Sequence, residues 1–289
     1  MTETRTYPEG VPSWIDIAEP DLDAATAFYG PLFGWTFEPA AGPDGDAPYV
    51  VARLDGRDVA GLGGSAGGGS SGGSGGSSNL SGTPTWRMYL AVDDIEAVGR
   101  RIVESGGRLR SEPVGAGAAG RAAAATDSAG AGFWLWQAGT RAGAQAVNES
   151  GAWNFAYLMT ADAAEPAFYS RVFGWEFDEQ GYGTLIRCPG YGDHLAATVD
   201  PDIRERQASV ATPPGFEDAI GWLAPLPDGE SPHWHMSFTV ADRDETAAVV
   251  ERLGGAVVSS IDTQWTRDAA IRDPQGGLFT ASQFVPPER

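Results

Sequence analysis

The 289-residue chain carries 19 basic and 39 acidic side chains, a net charge of −20, and every basic residue is arginine. That charge, with no basic run, excludes nucleic acid and an anionic membrane surface as partners, because both are held by clustered Lys and Arg. Hydrophobic residues at 42% are ample for a core, so the acidity belongs to a folded surface, and the length suggests about two domains.

From the N-terminus, the alternating run WIDIAEP predicts a strand, and a helix follows over Asp21 to Phe33, opened by Asp and ended by Gly34. Strands come next near Tyr49 to Leu54 and Asp58 to Leu62. The Gly/Ser stretch 65–84 has almost nothing to bury and is expected to be a flexible tether. No Lys-Ser or Lys-Thr follows its glycines, so it does not read as a phosphate loop. The order then repeats. A strand WRMYLAVD precedes a helix from Asp94 that Gly106 and Gly107 close, with further strands near Arg108, Ala122 and Phe133. The first half is thus a β-α-β-β-β unit written twice.

The second half repeats the first. FYGPLFGWTFE (Phe28 to Glu38) returns as FYSRVFGWEFD (Phe168 to Asp178). The run of 22 residues from Trp86 matches that from Trp234 without a gap, and TDSAGAGF from Thr126 matches RDPQGGLF from Arg272. Three blocks in one order indicate an internal duplication. The domains are read as 1–140 and 152–289 with a linker over 141–151. In the second domain, residues Pro201 to Ser209 read as a short extra helix, and LIRCPG reads as a buried strand end followed by a turn. Cys188 is the lone cysteine, so no internal disulfide is expected. The opening MTETRTYPEG has no apolar stretch for a signal peptide or membrane span, which points to the cytoplasm.

The blocks AxAFYxxLFGW, a strand ending VDD before a helix closing in GG, and a DxxG turn before the last strand resemble the vicinal oxygen chelate superfamily. That superfamily includes glyoxalase I, extradiol dioxygenases and bleomycin-binding resistance proteins. The tandem arrangement with PSWIDI, WQAG and VNESG is similar to two-domain glyoxalase-like proteins of actinobacteria, a group with a mycobacterial antigen and proteins of anthracycline pathways. The resemblance implies an α+β fold of four βαβββ modules in two domains, whose mixed sheets curl into funnels with ligands on the concave face.

It also implies where a metal would sit. The corresponding positions hold Trp14, Arg87 and Trp134 in the first domain, none of them a usual ligand, and Phe155, His235 and Thr280 in the second. The expectation is therefore no cofactor and no metal. The alternative is a three-histidine site from His194, His233 and His235, with Asp193 beside it. Cys188 lacks a visible electropositive pocket, and Arg187 next to it should face the other way. Asp16 shares the funnel face with Trp14 by strand alternation, either as a general base or as a carboxylate that hydrogen-bonds neighbouring backbone or the domain interface.

Strand alternation also sorts the tryptophans. Trp86 and Trp234 alternate with the funnel positions and are assigned to the core, as are Trp35 and Trp175 of the repeated FGW. Trp14, Trp134 and Trp136 fall on the funnel of the first domain; Phe155, Tyr157, Trp222 and His235 fall on that of the second, with Trp265 before a later strand. Rings of this kind stack on planar aromatic ligands and attract cations, and the acidic field steers cations inward. The leading expectation is a metal-independent protein that sequesters a planar, cationic natural product such as an anthracycline, in self-resistance or beside a biosynthetic enzyme. There Trp14, Trp134 and Trp136 would stack on the ligand, Asp16 would meet a hydroxyl or ammonium, and Arg87 or Tyr89 would bond a carbonyl or phenolate. The competing expectation is a glyoxalase-like lyase, isomerase or oxygenase using His233, His235 and His194, with or without metal. Two domains in one chain reproduce a dimer of single domains, so a monomer or a homodimer fits.

Overall fold

The computed structural model describes residues 5–43, 47–64, 83–162, 165–180, 183–210 and 212–285. The first domain runs through β1 (Pro12–Glu19), α1 (Leu22–Phe33), β2 (Thr36–Pro39), β3 (Tyr49–Leu54) and β4 (Arg57–Gly64). Its second module has β5 (Trp86–Ala91), α2 (Ile95–Glu104), β6 (Arg108–Leu109), β7 (Val114–Gly115), β8 (Gly120–Thr126) and β9 (Gly132–Ala138). The strands form one sheet in the order β2-β3-β4-β1-β5-β9-β8-β6, with β7 also on β8. Residues 65–82 of the expected tether lie outside the described residues.

The second domain repeats this with β10 (Trp153–Thr160), α3 (Glu165–Phe173), β11 (Glu176–Gln180), β12 (Gly183–Arg187), α4 (Tyr191–Ala197), α5 (Ile203–Ser209) and β13 (Ala219–Pro225). It continues with β14 (His233–Thr239), α6 (Arg243–Arg252), β15 (Ala256–Asp262), β16 (Thr266–Arg272) and β17 (Leu278–Phe284). The sheet order is β11-β12-β13-β10-β14-β17-β16-β15. In each module the first strand runs parallel to the last, and the two first strands of a domain pair antiparallel. Both sheets are curled and mixed, giving an α+β fold.

Local chemistry sets the helix ends. Asp21 caps α1 by accepting the Ala24 amide at 3.0 Å, and Gly34 stops it in the left-handed region at φ 73°. Asp94 caps α2 in the same way through Ala97. The extra helix read over Pro201 to Ser209 is α5, whereas α4, which carries His194, was not anticipated.

The convex faces of the two sheets share one core. Phe33 of α1 stacks on Phe238 of β14 at 4.9 Å, and Trp86 of β5 meets the same ring at 5.0 Å. Trp35 donates to the Gly151 carbonyl at the end of the linker at 2.7 Å and Trp175 to the Gly10 carbonyl of the first domain at 3.0 Å, so each repeated FGW motif bonds outside its own domain. Trp86 and Trp234 lie in this core, as strand alternation requires. What remains for function is the pair of concave faces, directed away from it.

Candidate functional site

On the concave face of the first domain, β1, β5 and β9 bring Trp14, Asp16, Arg87, Tyr89, Trp134 and Trp136 together, as their alternation predicts. Asp16 is wholly buried. Its Oδ1 accepts Arg87 Nε at 2.5 Å, and its Oδ2 accepts the hydroxyls of Tyr89 at 2.8 Å and Tyr49 at 3.1 Å. Trp14 Nε1 donates to the Tyr49 hydroxyl at 3.1 Å, and Trp136 Nε1 donates to the Arg141 carbonyl at 2.9 Å. Arg87 lies over the Trp134 ring at 5.0 Å and Arg141 over Trp14 at 5.4 Å.

These contacts correct the picture of an open stacking surface. Trp14, Trp134 and Trp136 are 4–6% exposed and form a second small core with Tyr49, Tyr89, Val51, Ala122 and Ala124. The space left between Trp14, Tyr49, Tyr89, Trp136 and Arg141 is about 10 Å³, no more than the threshold for a single water. Asp16 has Arg87 as its counter-ion, and Arg87 is committed to Asp16 instead of a ligand carbonyl. Tyr49, which closes this network, was not singled out in the sequence; its place on the buried face of β3 was the available signal.

The concave face of the second domain is different. Tyr157 pairs with His235 on one side and Trp222 on the other, the positions that Asp16, Arg87 and Gly61 hold in the first domain. Phe155, Trp222 and Phe216 form an aromatic wall with ring centroids 6.0–6.5 Å apart. Opposite, Trp265 stacks on Phe284 at 6.4 Å, and Phe284 is 52% exposed. Phe155, Tyr157, Trp222, His235 and Thr280 are half-buried, so this face is accessible where its counterpart is filled.

Its floor is polar. His235 Nε2 shares a hydrogen bond with the Thr280 hydroxyl at 2.9 Å, and burial, with a smaller contribution from His233, pushes its pKa down to about 4. Its imidazole is therefore neutral at neutral pH. Asp268 of β16 accepts the Ser282 hydroxyl at 2.6 Å and the Thr266 hydroxyl at 2.9 Å. Burial, then the charge of Asp268, raises the pKa of Tyr157 and keeps it a phenol. Asp268, Ser282 and Phe216 were missed in the sequence, although Asp268 alternates with Thr266 and Ala270 on β16 and pairs with Ser282.

The three histidines do not converge, which corrects the alternative metal site. His194 sits on α4 and bonds Thr6, while His233 turns to the Ser231 carbonyl at 2.9 Å and to Glu230. Asp193 is paired with Arg204. Among the described residues no three His, Cys, Asp or Glu side chains are grouped to hold a metal. His235 with one threonine hydroxyl does not fit a divalent centre of three or four protein ligands. Cys188 is buried against the Glu9 carbonyl, and burial followed by Asp218 pushes its pKa up to about 12, so it is an unreactive thiol. Arg187 turns to Glu176 and Asp178.

Residues 12–135 match the family model for the Glyoxalase/Bleomycin resistance protein/Dioxygenase superfamily, and residues 156–282 match that for a Glyoxalase-like domain. CFP32 of Mycobacterium tuberculosis, a protein named for a glyoxylase, is 32% identical over 99% of both chains. The anthracycline biosynthesis protein DnrV of Streptomyces peucetius is 30% identical over 97% of this chain and 95% of its own. The fold is that of the Mn(II)-bound glyoxalase from Novosphingobium aromaticivorans, with TM-score 0.57, 14% identity, and coverage of 96% of this chain and 85% of that one. The 2,3-dioxygenase LapB from Pseudomonas sp. KL28 gives TM-score 0.57 at 14% identity over 97% and 95% of the two chains.

Proposed function

Because the chain belongs to the glyoxalase/bleomycin resistance protein/dioxygenase superfamily, we propose that it is a metal-independent binding member which sequesters a planar, cationic aromatic natural product. The binding surface is the concave face of the second domain, in self-resistance or beside a biosynthetic enzyme whose product it removes. One observation carries this reading: of two equivalent faces, the first is packed shut by its own indoles and the second is left accessible with aromatic walls and a polar floor. Aromatic walls with a few placed polar groups are the usual build of a small-molecule site. The net charge of −20 raises the local concentration of cations. The relative DnrV, by its name a protein of anthracycline biosynthesis, supports the ligand class.

Catalysis by His235 is the weaker reading. An imidazole with a pKa near 4 is a poor general base at neutral pH. Titration of tryptophan fluorescence with daunorubicin tests the binding site. Saturable quenching is expected, lost in Trp222→Ala and retained in Trp134→Ala. The reverse pattern would return the site to the first domain, and no quenching in the parent protein would remove the proposal.

A further inference from the structure

We infer that Asp268 is the counter-ion for a positively charged ligand on the concave face of the second domain, and so selects cationic over neutral aromatic molecules there. The inference rests on the reading of that face as an aromatic binding site. Each concave face carries a carboxylate that accepts hydroxyls: Asp16 on β1 in the first domain and Asp268 on β16 in the second, where Tyr157 holds the position of Asp16. In the first domain, Asp16 is neutralised from within the chain by Arg87 at 2.5 Å. The equivalent of Arg87 is His235, which is neutral and turned to Thr280. The second domain thus has its carboxylate, Asp268, without the guanidinium that serves the first.

The surroundings of Asp268 agree. Among the described residues its two oxygens accept only hydroxyls, from Ser282 and Thr266, which orient a carboxylate without cancelling its charge. Arg243 reaches Asp268 only through the backbone carbonyl, at 3.0 Å, and its charge is shared by Asp244 and Asp262. Among the described residues no arginine or histidine forms an ion pair with the Asp268 side chain. Two hydroxyl donors leave lone pairs on the carboxylate for an incoming N–H. The floor has unused capacity besides. Ser237 lies on the same face of β14 as His235, is wholly buried, and its hydroxyl finds no partner among the described residues. An aromatic cation would meet the rings of Trp222 or Trp265 with its plane and Asp268 with its charge.

The test measures binding of two dyes to the full chain at fixed ionic strength: proflavine, a planar cation, and 1,4-dihydroxyanthraquinone, a planar neutral molecule. In Asp268→Asn, proflavine should weaken by about tenfold or more while the anthraquinone changes by less than about threefold, as expected for loss of one partly buried charge pair. Asp268→Glu should restore most of the proflavine affinity. The neutral dye also reports that the face is intact in each variant. Equal weakening of both dyes, or undiminished proflavine binding in Asp268→Asn, would overturn the role of Asp268 and leave the aromatic site standing. Failure of the parent protein to bind either dye would overturn both.

Discussion

Replacing Arg87 by methionine would leave Asp16 fully buried without the guanidinium that balances its charge, while Tyr49 and Tyr89 still donate to it. Removing one partner of a buried ion pair costs about 3–5 kcal/mol, because the remaining charge cannot be solvated. Arg87→Met should lower the urea midpoint by an amount equivalent to about 3 kcal/mol with an unchanged slope. Ligand binding on the other domain should survive, which separates this residue from a ligand-contacting one. The alternation of WIDI placed Asp16 on the same face as Trp14, but the side chains it meets there, Arg87, Tyr49 and Tyr89, are not the backbone or domain interface expected of a bonded carboxylate. Its tyrosine partners were harder to see. Tyr49 comes from β3, separated from β1 by β4, and nothing in the local sequence marks that reach.

The reach depends on a pair of residues exchanged between the domains. In the first, Tyr49 of β3 lies across Gly61 of β4, and a Cβ on Gly61 would collide with the Tyr49 ring and hydroxyl. In the second, the register places Gly183 where Tyr49 stands and Trp222 where Gly61 stands. The aromatic residue has moved from one strand to its neighbour, and the glycine with it. Gly61→Ala must push Tyr49 off Trp14 and Asp16, and overpacking of this kind costs about 1–3 kcal/mol. Gly183→Ala is the control: its Cβ would meet the Trp222 ring at 3.5 Å, an ordinary contact, and stability should change by less than about 1 kcal/mol. Thermal unfolding of the two variants should show that contrast. Helix ends were legible at this scale because Asp caps and glycine stops act locally; α4 was not, because Gly190 and Tyr191 carry no side-chain cap that the sequence could advertise. Which of the two concave faces is filled was also hidden, since that depends on rings from four strands meeting in space.

At the scale of the whole molecule, two buried acid pairs join the domains in a pseudo-symmetric way. Asp273 of the second domain accepts the amides of Gln275 and Gly277 on Oδ1 and the Tyr29 hydroxyl on Oδ2, and Glu19 of the first lies against it. Asp127 of the first domain likewise accepts three amides and the Tyr169 hydroxyl, and Glu165 of the second lies against it, with Ser128 at 3.4 Å. Glu19 is 1% exposed and has no donor among the described residues, so the proton shared with Asp273 must be its own. Burial, and then the facing aspartate, pushes the pKa of Glu19 up to about 9 and that of Glu165 up to about 8; Asp162 adds to the latter. The native protein therefore keeps two protons that the unfolded chain releases above its ordinary glutamate range. The interdomain contacts are strongest below that range, and their contribution falls as pH rises until pH 8–9 is passed. Urea midpoints measured from pH 6 to 9 should decline. In the double variant Glu19→Gln, Glu165→Gln an amide N–H replaces each shared proton at every pH, so the decline should flatten and the alkaline midpoint should exceed that of the parent. A parent midpoint that is level from pH 6 to 9, or a double variant that declines as steeply, would mean that these glutamates are not held protonated between the domains.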